Sequence, residues 1–427
     1  MKEIFVSDID GMAAGKDVVV KGWAQEIRVM KNIGFIIIRD STGLVQATVK
    51  RDCPDFQLLE KISRESVVSV SGTIPESIKS NVGREIITSQ ITVLNLSETP
   101  LLIGITDNVE TDMDTRFNSR FIDLRKPEIA RIFRAKSAIL WGMRNYLMSN
   151  KFMEVQTPKT VSAATEGGAE LFHVKYFEKD IFLNQSPQLY KEMLVASGVE
   201  RVFEVGPAFR AEEHNTPRHL NEFTSIDIEM AFADHNDAML MLENAIANGI
   251  RNFMDTVKDA KSFSLVKSIP ETPFPKITYS ECLQILKKND YPAINGDDLN
   301  NEALKIIGKR FEGFYFITEW PKSVRPFYTA TLDENPEYTK SYDLQFREIE
   351  ITSGAQRVHN PVELKKRIEQ KGLNSENFEF YLKTFRYGMP PHAGWGLGLE
   401  RLVQVVLGLP NIREASLFPR DRTRVFP

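Results

Sequence analysis

The segment 201–232 contains two alternating stretches that predict a hairpin with one charged face. In the second stretch, Ser225, Asp227 and Glu229 share one face and apolar residues share the other, because strand side chains alternate. Such a face would suit an anionic, polyphosphate-like ligand. The alternative is a solvated face on a surface hairpin, the usual environment of charged strand residues.

The first stretch and the loop of this predicted hairpin carry further charges. Glu204 and Arg210 share a face of the first stretch, and the loop carries Arg218 and His219. An anionic ligand would then lie between the charged face and the loop cations.

Two carboxylates in the segment 340–359 predict a site for a divalent cation. Asp343 and Glu350 offer the oxygen ligands that Mg²⁺ prefers, and substrate phosphates would supply the rest of its shell. The two positions have opposite strand parity, so a straight strand would point them to opposite faces. A bulge near Arg347 would return them to one face. The alternative is a two-faced edge strand.

Two shorter segments add polar groups. The glycine pair at 167–168, beside Glu166, predicts a loop able to close over a ligand, although a plain surface turn is equally consistent. Ser186, Gln188 and Lys191 lie at the entry to a short predicted helix, where capping alone would explain the serine.

The C-terminal stretch GWGLGLER, residues 394–401, is glycine-rich but does not match a dinucleotide-binding motif. Arg401 stands where that motif needs its third glycine. What remains is an arginine that opens an apolar helix. Such an arginine either meets phosphate oxygens or forms an ordinary ion pair, and both interpretations stay open.

Composition indicates a globular protein of two or three domains. The chain has 427 residues, of which 42% are hydrophobic and 26% charged. The net charge of −4 neither favours nor excludes nucleic acid, so RNA binding would need a local basic surface. We find no apolar run near the ~20 residues of a membrane span and no signal-peptide pattern, so we expect no membrane association. Cys53 and Cys282 form neither a zinc pattern nor a disulfide framework, so we expect a cytoplasmic protein.

The elements that must position these residues fall into two regions. Residues 1–100 contain five short β-rich runs separated by turn signals, which predict an OB-type barrel or another small β-fold. Farther along, apolar residues at three- and four-residue steps predict a helix over 130–152, and 235–260 and 360–386 are also predicted to be helical. The polar segment 101–128 is predicted to be a linker.

Taken together and in this order, these stretches resemble the class II aminoacyl-tRNA synthetases. The predicted helix up to Pro158 is similar to motif 1, FRAEEHNTPRHLNEF to motif 2 and GWGLGLER to motif 3. The barrel-like region points to the subgroup that charges Asp, Asn and Lys. Within it, QSPQLYK, ATEGGAELF, SGAQRVH and LFPRDRTRVFP look most like aspartyl-tRNA synthetases of the archaeal type. The resemblance covers essentially the whole chain.

The resemblance implies an α+β protein with an OB-fold anticodon-binding domain over 1–100, a hinge over 101–128 and a catalytic domain over 129–427. The catalytic domain would contain a six-stranded antiparallel sheet flanked by helices. A homodimer would form through motif 1.

It also implies roles for the matching residues. ATP would be bound by Arg210, Glu212, Arg218, His219, Phe223, Glu350 and Arg401, of which Arg210, Glu212 and Arg401 are the catalytic set, and Mg²⁺ by Asp343 and Glu350. L-aspartate would be bound by Glu166, Ser186, Gln188, Lys191, Asp227, Ser353 and Arg357. The anticodon would be bound by Arg28, Phe35, Gln46 and Glu85.

The implied reaction joins L-aspartate to ATP as aspartyl-adenylate and then transfers the aspartyl group to the 3′ end of tRNA(Asp). Whether tRNA(Asn) is also charged depends on residues around Gln25, Arg28 and the loop 76–84, and their types leave that open. Lys191 and Arg357 facing a carboxylate would favour Asp over Asn, whose amide NH₂ would meet two cations without an acceptor.

Three alternatives are weighed against this reading. An asparaginyl enzyme would share the fold, and an amidating asparagine synthetase would typically lack the N-terminal barrel. An OB-fold RNA-binding protein without catalysis would not need Arg210, Glu350 and Arg401 together.

Overall fold

The computed structural model describes residues 4–106, 110–162, 171–213 and 216–427. The chain divides into two compact units, Met1–Val109 and Glu110–Pro427. Each unit contains a hydrophobic core of its own.

The first unit is a closed five-stranded barrel, which confirms the OB-type prediction. Its strands are β1 (Asp17–Val29), β2 (Ile33–Arg39), β3 (Leu44–Lys50), β4 (Val67–Thr73) and β5 (Glu85–Asn95). They follow the order β1-β2-β3-β5-β4 around the barrel. Every second residue points inward, so that Val18, Val20, Ile36 and Ile38 are buried in the barrel core.

Two short helices, α1 (Met113–Asn118) and α2 (Arg120–Asp123), lie within the predicted linker 101–128. Arg120 is buried and donates to Asp123 Oδ2 at 2.6 Å and to the carbonyl oxygen of Ser416 at 2.9 Å. Both helices therefore belong to the second unit. The limits of the hinge and of the two domains stay predictions.

The second unit is built around a mixed sheet. Its strands, with those of a smaller sheet, are β6 (Met153–Glu154), β7 (Thr160–Val161), β8 (His173–Tyr176), β9 (Lys179–Leu183), β10 (Arg201–Phe209), β11 (Glu222–Ala231), β12 (Lys276–Thr278), β13 (Phe314–Thr318), β14 (Ser341–Phe346), β15 (Ile349–Gln356) and β16 (His392–Gly398). The large sheet has eight strands in the order β12-β13-β14-β15-β16-β11-β10-β6, and the small one has the order β7-β9-β8.

Six consecutive strands of the large sheet, from β13 to β10, pair antiparallel. This agrees with the expected six-stranded antiparallel sheet. Short parallel strands add to its two edges, β12 beside β13 and β6 beside β10, which the prediction did not include.

Helices pack around this sheet. They are α3 (Pro127–Ser149), α4 (Gln188–Ala196), α5 (His235–Thr256), α6 (Ala260–Phe263), α7 (Tyr279–Lys288), α8 (Asn301–Gly308), α9 (Pro361–Gln370), α10 (Glu379–Arg386) and α11 (Leu399–Leu407). Helix α3 buries the predicted stripe of Ile132, Ala135, Ile139 and Met143 in the core of the unit, since residues three and four apart share one helical face. None of the described helices combines the length and apolar character needed to cross a bilayer.

Candidate active site

A cavity of about 310 Å³ lies in the second unit where β11, β15 and β16 run side by side. Twelve of the residues predicted to bind ATP or aspartate line it: Ser186, Gln188, Arg210, Glu212, Arg218, His219, Phe223, Asp227, Glu350, Ser353, Arg357 and Arg401. These residues come from segments as far apart in the chain as Ser186 and Arg401, and the antiparallel sheet brings them together.

Two other predicted site residues, Lys191 and the metal-binding Asp343, contact the cavity lining without being part of it. Lys191 is buried and bonds to the cavity residue Asp227, and Asp343 is buried and bonds to the cavity residue Arg325. Glu166 lies outside the described residues.

Four charged groups meet on the polar face of β11. Lys191 Nζ, on α4, lies 3.1 Å from Asp227 Oδ1 and 3.5 Å from Glu229 Oε2. Arg357 donates through Nε and Nη2 to the two carboxylate oxygens of Glu229, at 3.0 and 3.3 Å. All four side chains are buried. The alternative of a solvated hairpin face is therefore wrong.

This pairing refines the expectation about Lys191 and Arg357. Both were expected to pair with a ligand carboxylate, but in the structure each already contacts a protein carboxylate. Burial alone would lower the pKa of Arg357, but the charge of Glu229 outweighs that effect and raises it, so the group remains a cation. Removing one partner would leave a buried charge uncompensated, which costs about 3–5 kcal/mol.

A second buried carboxylate orients the predicted aspartate contact Gln188. Glu192 accepts hydrogen bonds from Gln188 Nε2 at 2.6 Å and from the Tyr381 hydroxyl at 2.7 Å, and His392 Nε2 lies 2.9 Å away. Burial opposes ionisation of Glu192, but the hydrogen bond and charge of His392 outweigh it and lower the carboxyl pKa. The network fixes which end of the Gln188 amide acts as the donor.

The two predicted metal-binding carboxylates lie on the two strands of one hairpin rather than on one bulged edge strand. Asp343 is on β14 and Glu350 on β15, and Arg347, with φ +55°, lies between the strands. The bulge is at position 351, so the expected bulge near Arg347 is wrong. The hairpin pairs Gln345 with Glu350, which places Glu350 on the same face as Asp343.

The donor chemistry of this carboxylate pair fits Mg²⁺. Burial and the nearby charge of Asp343 raise the pKa of Glu350 to about 7, a repulsion that a cation would relieve. Arg325 Nη2 lies 2.5 Å from Asp343 Oδ2, so in this structure the guanidinium supplies the positive charge next to that carboxylate. The part of the chain that the structure describes holds no group of three or more acidic, histidine or cysteine residues suited to a metal. Phosphate oxygens and water would therefore complete the shell.

The loop cations also have carboxylate partners. Arg218 Nη2 lies 3.1 Å from Glu348 Oε1, and His219 Nε2 lies 3.3 Å from Glu212 Oε2. The Arg210 guanidinium lies over the Phe223 ring, 5.5 Å from its centroid. Each contact is one that a phosphate oxygen or a planar base could replace.

The first and last glycines of GWGLGLER, Gly394 and Gly398, differ in what surrounds them. A Cβ on Gly394 would overlap the Ile228 carbonyl oxygen and the Glu229 carboxylate on β11. One on Gly398 would come no closer than 4.0 Å, to Arg401. Gly394 is thus needed for strand packing, whereas Gly398 leaves space beside Arg401. Arg401 lies in the first turn of α11 and donates to the Glu350 carbonyl oxygen at 3.2 Å.

The residues predicted to bind the anticodon share one face of the barrel in the first unit. Arg28 pairs with Phe35 across β1 and β2, and Gln46 pairs with Glu85 across β3 and β5. Glu85 is buried and accepts from the Thr48 hydroxyl at 2.6 Å, which fixes its carboxylate.

Sequence reasoning missed several residues of the site. Glu229 lay on the charged face that alternation identified, but no role was assigned to it. Arg325 comes from a segment without a clear pattern, so its position depends on the fold alone. Glu192 directly follows the matched stretch QSPQLYK and Glu400 lies inside GWGLGLER, where only their neighbours were given roles.

Comparison with known proteins matches both units to families. Residues 112–422 match the family model described as tRNA synthetases class II (D, K and N), and residues 18–94 match the OB-fold nucleic acid binding domain. The chain is 58% identical to an aspartate–tRNA(Asp) ligase from Thermoplasma acidophilum, over 100% of both chains. It is 47% identical to an aspartate–tRNA(Asp/Asn) ligase from Archaeoglobus fulgidus, over 99% of this chain and 100% of that one.

Solved structures with the same fold include both aspartate and asparagine enzymes. The asparaginyl-tRNA synthetase from Pyrococcus horikoshii, complexed with asparaginyl-adenylate, matches with a TM-score of 0.93 at 32% identity, over 100% of both chains. The aspartyl tRNA synthetase from Entamoeba histolytica matches with a TM-score of 0.86 at 32% identity, over 100% of this chain and 93% of that one.

The two glycines predict opposite outcomes on substitution. Gly394→Ala should destabilise the second unit by about 3 kcal/mol, because the new methyl group meets backbone that cannot yield. Gly398→Ala should stay within about 1 kcal/mol of the wild type, since its Cβ enters open space and its backbone is extended. Urea unfolding followed by circular dichroism measures both. Equal losses of stability would contradict this division.

Proposed function

The chain belongs to the class II tRNA synthetases of the D, K and N group, and we propose that it is an aspartate–tRNA ligase. It joins L-aspartate to ATP, releasing pyrophosphate and forming aspartyl-adenylate. It then transfers the aspartyl group to the 3′ end of tRNA(Asp), releasing AMP. The observation that carries the proposal is the cavity lined by the predicted ATP and aspartate residues in a chain similar over its full length to aspartate–tRNA ligases.

We assign ATP binding to the side chains whose present contacts a phosphate oxygen or a planar base could replace. Arg218, His219 and Arg401 bind phosphate oxygens in place of the carboxylates and carbonyl oxygen that they now contact. Arg210, which now lies over the Phe223 ring, binds phosphate as well. Glu212 and Phe223 bind the adenine base, with Phe223 on one face and Arg401 on the other. Asp343 and Glu350 would hold Mg²⁺, which would neutralise charge on the phosphates. The protein thus contributes mainly positioning and charge complementarity.

The aspartate half is assigned to the charges along β11. Arg357 and Lys191 pair with the substrate's side-chain carboxylate, while Glu166, Ser186, Gln188, Asp227 and Ser353 surround its ammonium and main-chain groups. Arg357 uses Nε and Nη2 for Glu229, and a guanidinium has five N–H donors. An asparagine amide would present its NH₂ to donors and leave them unsatisfied, so aspartate is selected.

Amino-acid selection can be tested by aspartate-dependent ATP–pyrophosphate exchange. The wild type should exchange with aspartate and not with asparagine. Arg357→Lys keeps the charge but loses the planar fork, so the KM for aspartate should rise about 30-fold while the KM for ATP stays within about twofold. Exchange driven by asparagine alone would refute the proposed substrate. An unchanged aspartate KM in the variant would refute the role of Arg357.

The barrel is assigned to the anticodon. Phe35 stacks on a base, Gln46 and Glu85 bond to base edges, and Arg28 holds the backbone. Two relatives that are 58% and 56% identical to this chain are named for tRNA(Asp), which favours that tRNA, and one that is 47% identical is named for both tRNAs.

Charging purified tRNA(Asp) and tRNA(Asn) side by side tests the choice of tRNA, and tRNA(Asn) charged as fast as tRNA(Asp) would identify a dual enzyme.

Phe35→Ala should raise the KM for tRNA about tenfold, because one stacked base contributes about 1–3 kcal/mol, and should leave pyrophosphate exchange unchanged. Val19→Ala, an exposed position on β1, is the control. An equal KM for tRNA in the Phe35→Ala and Val19→Ala variants would contradict the proposed role of Phe35 in anticodon binding.

A homodimer is proposed through α3 and β6. Trp141 and Met148 are exposed on α3, seven residues apart and therefore on one face, and β6 forms one edge of the large sheet. Apolar helix positions next to a sheet edge suit a second copy of the chain related by a twofold axis. The two cysteines are free thiols, consistent with the reducing cytoplasm that we propose as the site of action.

Trp141→Glu should convert the dimer into a monomer, because a charge would be buried at the interface without a partner. Sedimentation equilibrium should then give the chain mass of 48.7 kDa instead of twice that value. Tyr387→Glu changes another exposed aromatic residue and should leave the mass of the wild type. A wild type that sediments as a monomer would exclude the dimer.

A further inference from the structure

Glu400, next to Arg401 in the sequence, has no role in the proposed function although it lines the cavity. Its carboxylate is buried and bound by three donors. Lys136 Nζ lies 2.6 Å from Oε1, the Thr224 hydroxyl donates to Oε1 at 3.0 Å, and the Thr224 backbone N–H donates to Oε2 at 2.9 Å. A buried carboxylate satisfied in this way is held in one position.

The contacts of Glu400 lie where the β11–β16 ladder ends. The last registered pair of the two strands is Ser225 with Gly398. Beyond it β16 turns into α11, so the strand pairing stops. The Glu400 side chain reaches across and binds the next residue of β11, Thr224, and so continues the connection between the two chain segments.

Each of the two connected residues is the chain neighbour of a residue assigned to the adenine base. Thr224 follows Phe223, and Glu400 precedes Arg401. We propose that Glu400, held by Lys136, is a positioning residue that fixes the separation of Phe223 and Arg401 and so shapes the slot for the base of ATP. This inference rests on the proposed function, because it takes the adenine contacts from there.

Lys136 makes this connection dependent on α3. It also donates to the carbonyl oxygen of Ala415 at 3.1 Å, so its ammonium group is anchored on two sides. The cation offsets the cost of burying Glu400 and keeps the carboxylate turned toward Thr224. Without the Lys136 cation, the Glu400 carboxylate would be buried without a charged partner. It would turn toward solvent, and the start of α11 would shift relative to β11.

The second unit contains a matched cluster whose carboxylate, Glu204, does not line the cavity, although it pairs across the strands with the cavity residue Asp227. Glu204 is also a buried carboxylate bound by a lysine, a threonine hydroxyl and a threonine backbone N–H. The donors are Lys159 at 2.5 Å, the Thr157 hydroxyl at 2.7 Å and the Thr157 N–H at 2.9 Å. The two lysine side chains are 18% and 25% exposed for Lys136 and Lys159, so their loss should cost similar stability.

The test compares Lys136→Met, Glu400→Gln and Thr224→Val with the control Lys159→Met. Aspartate-dependent pyrophosphate exchange gives the KM for ATP and for aspartate, and titration calorimetry gives the Kd for ATP without aspartate. Lys136→Met and Glu400→Gln should raise the ATP KM and Kd about tenfold, the range for losing one hydrogen bond to a charged group. The aspartate KM should stay within about twofold. Thr224→Val, which keeps the backbone donor, should have a smaller effect.

Two further results separate positioning from general stability. Lys136→Arg keeps the charge and should restore most of the ATP affinity. Lys159→Met should lower the melting temperature as much as Lys136→Met while leaving the ATP Kd unchanged.

The inference is overturned if Lys136→Met and Glu400→Gln leave the ATP Kd unchanged, raise both KM values equally, or match Lys159→Met. A wild type that binds ATP but shows no aspartate-dependent exchange would refute the proposed function, while the ATP Kd values would still test the role of Glu400.

Discussion

The second unit is constrained by the need to pair buried charges along β11. Glu229 lies in the centre of an eight-stranded sheet, where an unpaired carboxylate would be costly. Its partners come from elsewhere in the chain, Lys191 from α4 and Arg357 from the end of β15. The helix and the strand must therefore lie within a few ångströms of one face of β11. Gly394 on β16 leaves the space through which that carboxylate passes. Of these groups, Arg357 lines the cavity, as does Asp227, the second carboxylate that Lys191 contacts.

Much of this arrangement could be predicted from the sequence. Alternation along 222–231 identified the polar face of β11, and turn signals separated the strands of the barrel correctly. The edge strand β12 was missed because a run of three residues carries no periodic signal. The two helices within the predicted linker were not predicted, because they are held in place by Arg120, whose partner Ser416 lies about 300 residues away.

Predictions for the site were limited by the same dependence on distant contacts. Residue types identified Lys191 and Arg357 as cations near an anion, but not that Glu229 would compete for both. The position of the bulge in β15 was misjudged because the hairpin turn at Arg347 already reverses the chain. Charge selection in such a site is a balance among paired groups. A fold shared by aspartate and asparagine enzymes can therefore serve either substrate by changing a few side chains rather than the backbone.

The bulge at position 351 divides β15 into two parts that contribute residues to different regions of the cavity. On one side Glu350 faces the proposed phosphate region, and on the other Ser353 and Arg357 face the amino-acid region. Regular alternation would send positions 350 and 353 to opposite layers, so the extra residue is what lets both regions be served by one strand. Without the bulge Glu350 and Ser353 would face opposite layers, so either the pairing of Glu350 with Gln345 or the downstream register would be lost. We therefore expect the protein to tolerate insertions at position 351 less well than most substitutions there.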